Sequence, residues 1–65
     1  MDNEPILQFF AYGHLPPDLQ GIAREFSHQA HWLAGFLPRN PERTAALRKL
    51  LEAKDCAVRA AIYKD

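Results

Sequence analysis

The stretch Pro38-Arg39-Asn40-Pro41-Glu42-Arg43-Thr44 decides how this chain folds. Asn40 is a residue whose side chain can accept a hydrogen bond from the start of a helix. Pro41 suits the first helical position, and Glu42 puts negative charge in the first turn. Pro38, just upstream, stops an earlier helix from running through. A helix therefore ends before this stretch and another begins inside it. Short connections of this kind join antiparallel neighbours, so the expected unit is a helical hairpin.

The patterning on both sides agrees. Upstream, Pro16-Pro17 and Asp18 mark a helix start, with the acid near the positive end of the helix dipole. From there Leu19, Ile22, Ala23, Phe26, Ala30, Leu33 and Leu37 recur at three- and four-residue steps, the helical period. Trp32 and Phe36 widen this apolar face beyond what one partner helix covers, and Gly35 lies near its end. Downstream, Leu47, Leu50, Leu51, Val58, Ala61 and Ile62 form a second stripe. Ala45, Ala46, Ala53, Ala57 and Ala60 favour helix and allow close approach. The expected elements are an N-terminal arm over 1–15, a first helix over 16–37 and a second over 40–63. The arm carries Phe9, Phe10 and Tyr12 and is too apolar for a freely solvated tail. Its simplest role is to cover an apolar groove. The fold class is all-α: one domain over 1–65, an antiparallel two-helix hairpin with an aromatic arm.

Such a unit is marginal alone. A domain of about 60 residues buries only about 60% of its unfolded surface. The usual remedies are disulfides, a metal or oligomerisation. Cys56 is the only cysteine, so no intrachain disulfide exists. A lone cysteine fits a reducing compartment, and self-association is the simplest remedy left. No apolar run approaches the roughly 20 residues that span a bilayer. The start, Met1-Asp2-Asn3-Glu4-Pro5, lacks the charge and apolar run of a signal peptide. A soluble, cytoplasmic protein is expected. Eight Lys/Arg balance eight Asp/Glu, so there is no broad basic footprint for duplex DNA. A small ligand with two or three phosphates needs only a few arginines, which symmetry can multiply.

Two clusters could bind such a ligand. Arg39, Asn40, Arg43 and Thr44 surround the start of the second helix, where unpaired N–H groups and the dipole favour anions. The arginine fork matches phosphate oxygens. An ordinary cap with solvated arginines, one paired to Glu42, explains the same residues. The second cluster is Tyr12 with Arg24 and His28. Arg24 and His28 share a helix face, and an aromatic ring can stack on a base for about 1–3 kcal/mol. Tyr12 packed within the arm, with Arg24 paired to a nearby acid, is the plainer alternative.

Metal and catalytic chemistry have less support. Glu25-x-x-His28 matches one element of a di-iron carboxylate site, but the second helix supplies no matching Glu-x-x-His, and Glu52 and Asp55 stand without a histidine. His28 and His31 are three apart, a spacing common by chance. Cys56 is mid-helix beside no His, and Gly13, Gly21 and Gly35 are too far apart for a phosphate-cradling loop. Neither enzyme nor cofactor nor metal site is expected.

The run from Pro38 to Ala53 resembles the second half of a phage family, the small anti-CBASS sponge proteins, which sequester the cyclic oligonucleotide signals of bacterial immunity. The pattern E-R-[ST]-x-A-L-x-K-L-x-E-A is met by Glu42, Arg43, Thr44, Ala46, Leu47, Lys49, Leu50, Glu52 and Ala53. Upstream, Phe10-Ala11-Tyr12-Gly13-His14-Leu15-Pro16-Pro17 is similar to that family's aromatic arm followed by a proline pair. The two stretches occur in the same order and together span about two-thirds of the chain, from Phe10 to Ala53.

The resemblance implies a homo-oligomer, a compact hexamer, in the cytoplasm of a bacterial host cell. It implies cyclic dinucleotides bound between protomers and cyclic trinucleotides at separate three-fold sites. Carried over by position, Tyr12 would stack on a dinucleotide base and Arg24 would hold its phosphate. Arg43 and Thr44, with Arg39, would bind a trinucleotide. The expected function is sequestration without cleavage, which silences an effector by lowering the free signal. The alternative is a helical interaction module with no nucleotide ligand, its arm aromatics acting as anchors and its arginines as a polar rim. A small DNA-binding protein ranks third, because Arg43, Arg48 and Lys49 are interspersed with Glu42 and Glu52. Arg43→Ala separates the first two readings at this level, removing ligand binding in one and doing little in the other.

Overall fold

The structure, a computed structural model, describes residues 4–64. Met1, Asp2 and Asn3 of the expected arm and leader reading, and Asp65 of the expected domain, lie outside the described residues. Among the described residues there is no strand. A 3₁₀ helix over Pro5–Phe10 is followed by α1 over Pro17–Phe36 and α2 over Pro41–Ala61. The two long helices pack on each other, and the 3₁₀ helix touches both.

Each boundary has a local cause. Pro16 is the cap residue of α1, and Pro17 takes the first turn with Asp18 behind it. No side chain caps this end. Instead the Gln20 side-chain amide turns back and donates to Leu15 O at 2.8 Å, tying the linker to the helix. At the other end Pro38 excludes the helical region for the residue before it. Leu37 is accordingly extended (φ −92, ψ 147) while its N–H still bonds Leu33 O. Gly35 sits inside α1, and no glycine of the described chain has positive φ, so proline rather than glycine stops this helix. Asn40 then caps α2, its Oδ1 accepting from Arg43 N at 2.8 Å. This is the start that the local sequence encodes.

Packing departs from the apolar stripe of the sequence in one respect. The residues of α1 that bury are Leu19, Ala23, Ser27, Ala30 and Ala34, a line of mostly small side chains. Ile22, Phe26, Leu33 and Leu37 flank that line half-buried. Small residues bring the backbones close, and the space between the helices is then filled from outside. Phe10 of the 3₁₀ helix and Leu47 of α2 are both fully buried, and with Ala30 and Ala34 they form the core. Full burial of side chains this size contributes about 1.5–3 kcal/mol each.

The core is nevertheless thin. Phe10 and Leu47 are the only large side chains fully buried among the described residues, while Phe9, Trp32, Phe36, Ile62 and Tyr63 are more than half exposed. The radius of gyration is 12.5 Å, against about 11 Å for a compact domain of this length. An elongated hairpin has that shape, with one apolar flank covered by its arm and another open.

Candidate functional site

The start of α2 is where charge, burial and chain topology converge. Pro41 and Asn40 fix the first turn, which carries Arg43 inward toward the end of α1. The Arg43 side chain is 2% exposed. Its Nη1 donates to Ala34 O at 2.8 Å and Leu37 O at 3.1 Å. Its Nη2 donates to Glu4 Oε1 at 2.6 Å. One guanidinium thus joins the C-terminal end of α1, the N-terminal turn of α2 and the start of the arm. The contacts suit a cation, since the last carbonyls of a helix carry its negative dipole end. A buried charge needs such partners to be tolerated at all.

Around Arg43 the other expected residues take different positions. Arg39 is mostly exposed, its Nη1 reaching within 3.9 Å of Glu4 Oε1. Asn40 is occupied with the cap. Thr44 is exposed, its Oγ1 donating to Asn40 O at 3.3 Å. So Arg39, Asn40, Arg43 and Thr44 do lie together. Glu4 is an acid that meets both arginines, whereas the sequence suggested Glu42. This changes what Arg43→Ala reports: the guanidinium is a structural bridge, so its loss disturbs the fold whether or not a ligand binds. Arg39 and Thr44, exposed at the same locus, are the cleaner probes.

The second cluster is looser. Tyr12 is half-buried in the linker, and Arg24 and His28 lie exposed on α1. Among the described residues no hydrogen bond or ion pair joins Tyr12 to either of them. His28 instead borders a surface hollow of about 400 Å³ with Glu25, Gln29 and Trp32. Beside it, Phe26 and Leu33 of α1 and Leu50 and Ala46 of α2 line a groove of about 570 Å³, with Lys49 at its edge. Trp32 stacks on Phe36 with ring centroids 4.7 Å apart. Glu25 and Gln29, which border both the hollow and the groove, lie between the aromatic pair and the apolar lining of the groove.

Sequence reasoning missed Glu4, because it is 39 residues from Arg43 and no local pattern links them. It also missed the inward course of Arg43, which depends on where α1 ends. The exposed Trp32 and Phe36 were legible, as an aromatic pair one helical turn apart on an already crowded face. Among the described residues no three potential metal ligands cluster. No helix of the described residues is long and apolar enough to cross a membrane. Comparison of the chain with protein-family models, curated proteins and solved structures gives no match.

Proposed function

We propose that this protein assembles with copies of itself and sequesters cyclic di- and trinucleotides without cleaving them, as a phage anti-defence protein in the host cytoplasm. The observation that carries the reading is the Arg39–Arg43 locus, where two arginines already converge on one carboxylate oxygen. A site that holds a carboxylate in an arginine fork is chemically suited to a phosphate. The resemblance of Glu42–Ala53 to the sponge proteins supports the same locus. Self-assembly, with a hexamer as the expected state, is supported by the thin core and the open apolar flank. It would also bring further copies of Arg39 and Thr44 to one ligand.

A second reading is favoured by one feature. The exposed Trp32–Phe36 stack beside an apolar groove has the make-up of an interaction hot spot. In that reading the flank clasps another protein and no nucleotide is bound.

Native mass spectrometry of the purified protein, alone and with a panel of cyclic di- and trinucleotides, decides between them. The sponge reading expects a discrete oligomer retaining a fixed number of nucleotides, reduced by Arg39→Ala or Thr44→Ala with assembly intact. A discrete oligomer that stays empty across the panel refutes it and leaves the interaction module.

A further inference from the structure

Glu4 is held more firmly than its position warrants. It precedes the 3₁₀ helix as its cap residue, yet its side chain makes no cap hydrogen bond there. Its side chain is instead 9% exposed, with Oε1 placed against Arg43 at 2.6 Å and within reach of Arg39 at 3.9 Å. The arm does not depend on it for anchorage, because Phe10 is fully buried and Ile6 and Leu7 pack on the core. The Glu4 side chain can therefore turn out to solvent while the 3₁₀ helix stays seated.

We propose that Glu4 is an internal competitor for the anion site: its carboxylate occupies the arginine fork, and a ligand phosphate binds by displacing it. The identity of the phosphate ligand rests on the function proposed above, while the competition itself does not.

Three features make the exchange workable. Arg43 keeps its Nη1 bonds to Ala34 O and Leu37 O whichever anion is present, so the fork stays oriented. The bond exchanged is the one from Nη2 to Glu4. Arg39, 58% exposed, can meet an incoming phosphate at the surface before Glu4 leaves. A carboxylate and a phosphate oxygen make the same charge-assisted bond to a guanidinium. One site cannot hold both, since two anions at that spacing repel.

The consequence is a threshold. If the closed state dominates, the apparent dissociation constant exceeds the intrinsic one by the inverse of the open fraction. Weak or singly charged anions then fail to open the site. A cyclic oligonucleotide gains contacts on more than one protomer and can displace the carboxylate.

The test is calorimetric titration of the wild-type protein, Glu4→Gln and Glu4→Asp with cyclic tri-adenylate and, separately, with inorganic pyrophosphate. Glu4→Gln keeps an oxygen that can accept from Arg43 and removes the competing charge, so the fold should persist. Glu4→Asp keeps the charge but withdraws it by one methylene, which supplies a second variant of independent folding risk. The expected result is binding about tenfold tighter in Glu4→Gln than in wild type, with Glu4→Asp between them. Equal or weaker binding of cyclic tri-adenylate by both variants overturns the competition and leaves the sponge reading standing. Tighter pyrophosphate binding by the variants, with no cyclic nucleotide bound by any protein, supports the competition and sinks the sponge reading. Failure of all three proteins to bind either anion overturns both.

Discussion

Replacing Arg43 by alanine tests the structural account most directly. Arg43 is 2% exposed on its side chain and supplies donors to Ala34 O, Leu37 O and Glu4 Oε1. Its removal leaves two carbonyls at the end of α1 and one shielded carboxylate short of a donor. Deleting one partner of a buried ion pair costs about 3–5 kcal/mol, mostly through the charge left behind. Glu4 lies at the start of the arm and can turn to water, so the expected cost is near the lower end, about 3 kcal/mol. A chain of this length has about 3–10 kcal/mol of stability in total. Arg43→Ala should therefore bring the hairpin close to its unfolding threshold. Urea unfolding followed by far-ultraviolet circular dichroism reads this, at matched concentration because the proposed self-assembly would contribute to apparent stability. Glu4→Gln alone should cost about 1 kcal/mol, the difference between a charge-assisted hydrogen bond and the neutral-acceptor bond that replaces it. The double variant should be less destabilised than the sum of the single ones, since the carboxylate no longer lacks a partner. A change below about 1 kcal/mol for Arg43→Ala would refute the view that this guanidinium ties the end of α1 to the start of α2.

Three further outcomes are expected. Asn40→Ala should lower stability by about 1 kcal/mol, since the side chain accepts the 2.8 Å bond from Arg43 N; an unchanged melting temperature would show that the cap contributes nothing. Gly21 and Gly35 lie within α1, and a Cβ at either would meet nothing within 4 Å. Changing each to alanine should raise stability by up to about 1 kcal/mol per site in chemical denaturation, and a loss would place both positions against another copy of the chain. Phe36→Glu puts charge on a residue 68% exposed in the single chain. It should leave the helical signal unchanged while lowering the mass measured by light scattering, whereas an unchanged mass would remove this flank from the assembly interface.

Much of the hairpin was written locally. Asn40-Pro41-Glu42 set the start of α2 and Pro38 the end of α1, because caps and proline constraints act over a few residues of backbone. The helical period of Leu19 to Leu37 and of Leu47 to Ile62 carried the rest. The arm's 3₁₀ turn was not legible, since Pro5-Ile6-Leu7-Gln8-Phe9-Phe10 has no distinctive period and its contacts are with two helices distant in sequence. The placing of Arg39, Asn40, Arg43 and Thr44 at one helix start could be read from spacing. Their chemistry could not, because burial and pairing follow from which distant segment arrives.

The sequence by itself determined two helices, the turn between them and a surplus of apolar surface, since each rests on neighbours within a turn or two. Only the tertiary structure decided that Ala23, Ser27, Ala30 and Ala34 form the seam, with the larger residues left at its edges. A helical face is about 100° wide, and the direction in which it docks is set by close packing of whole elements. Only the tertiary structure, too, turned Arg43 inward onto Glu4. A charge leaves water only where donors and acceptors from several segments meet it at once, and no stretch of sequence contains that meeting.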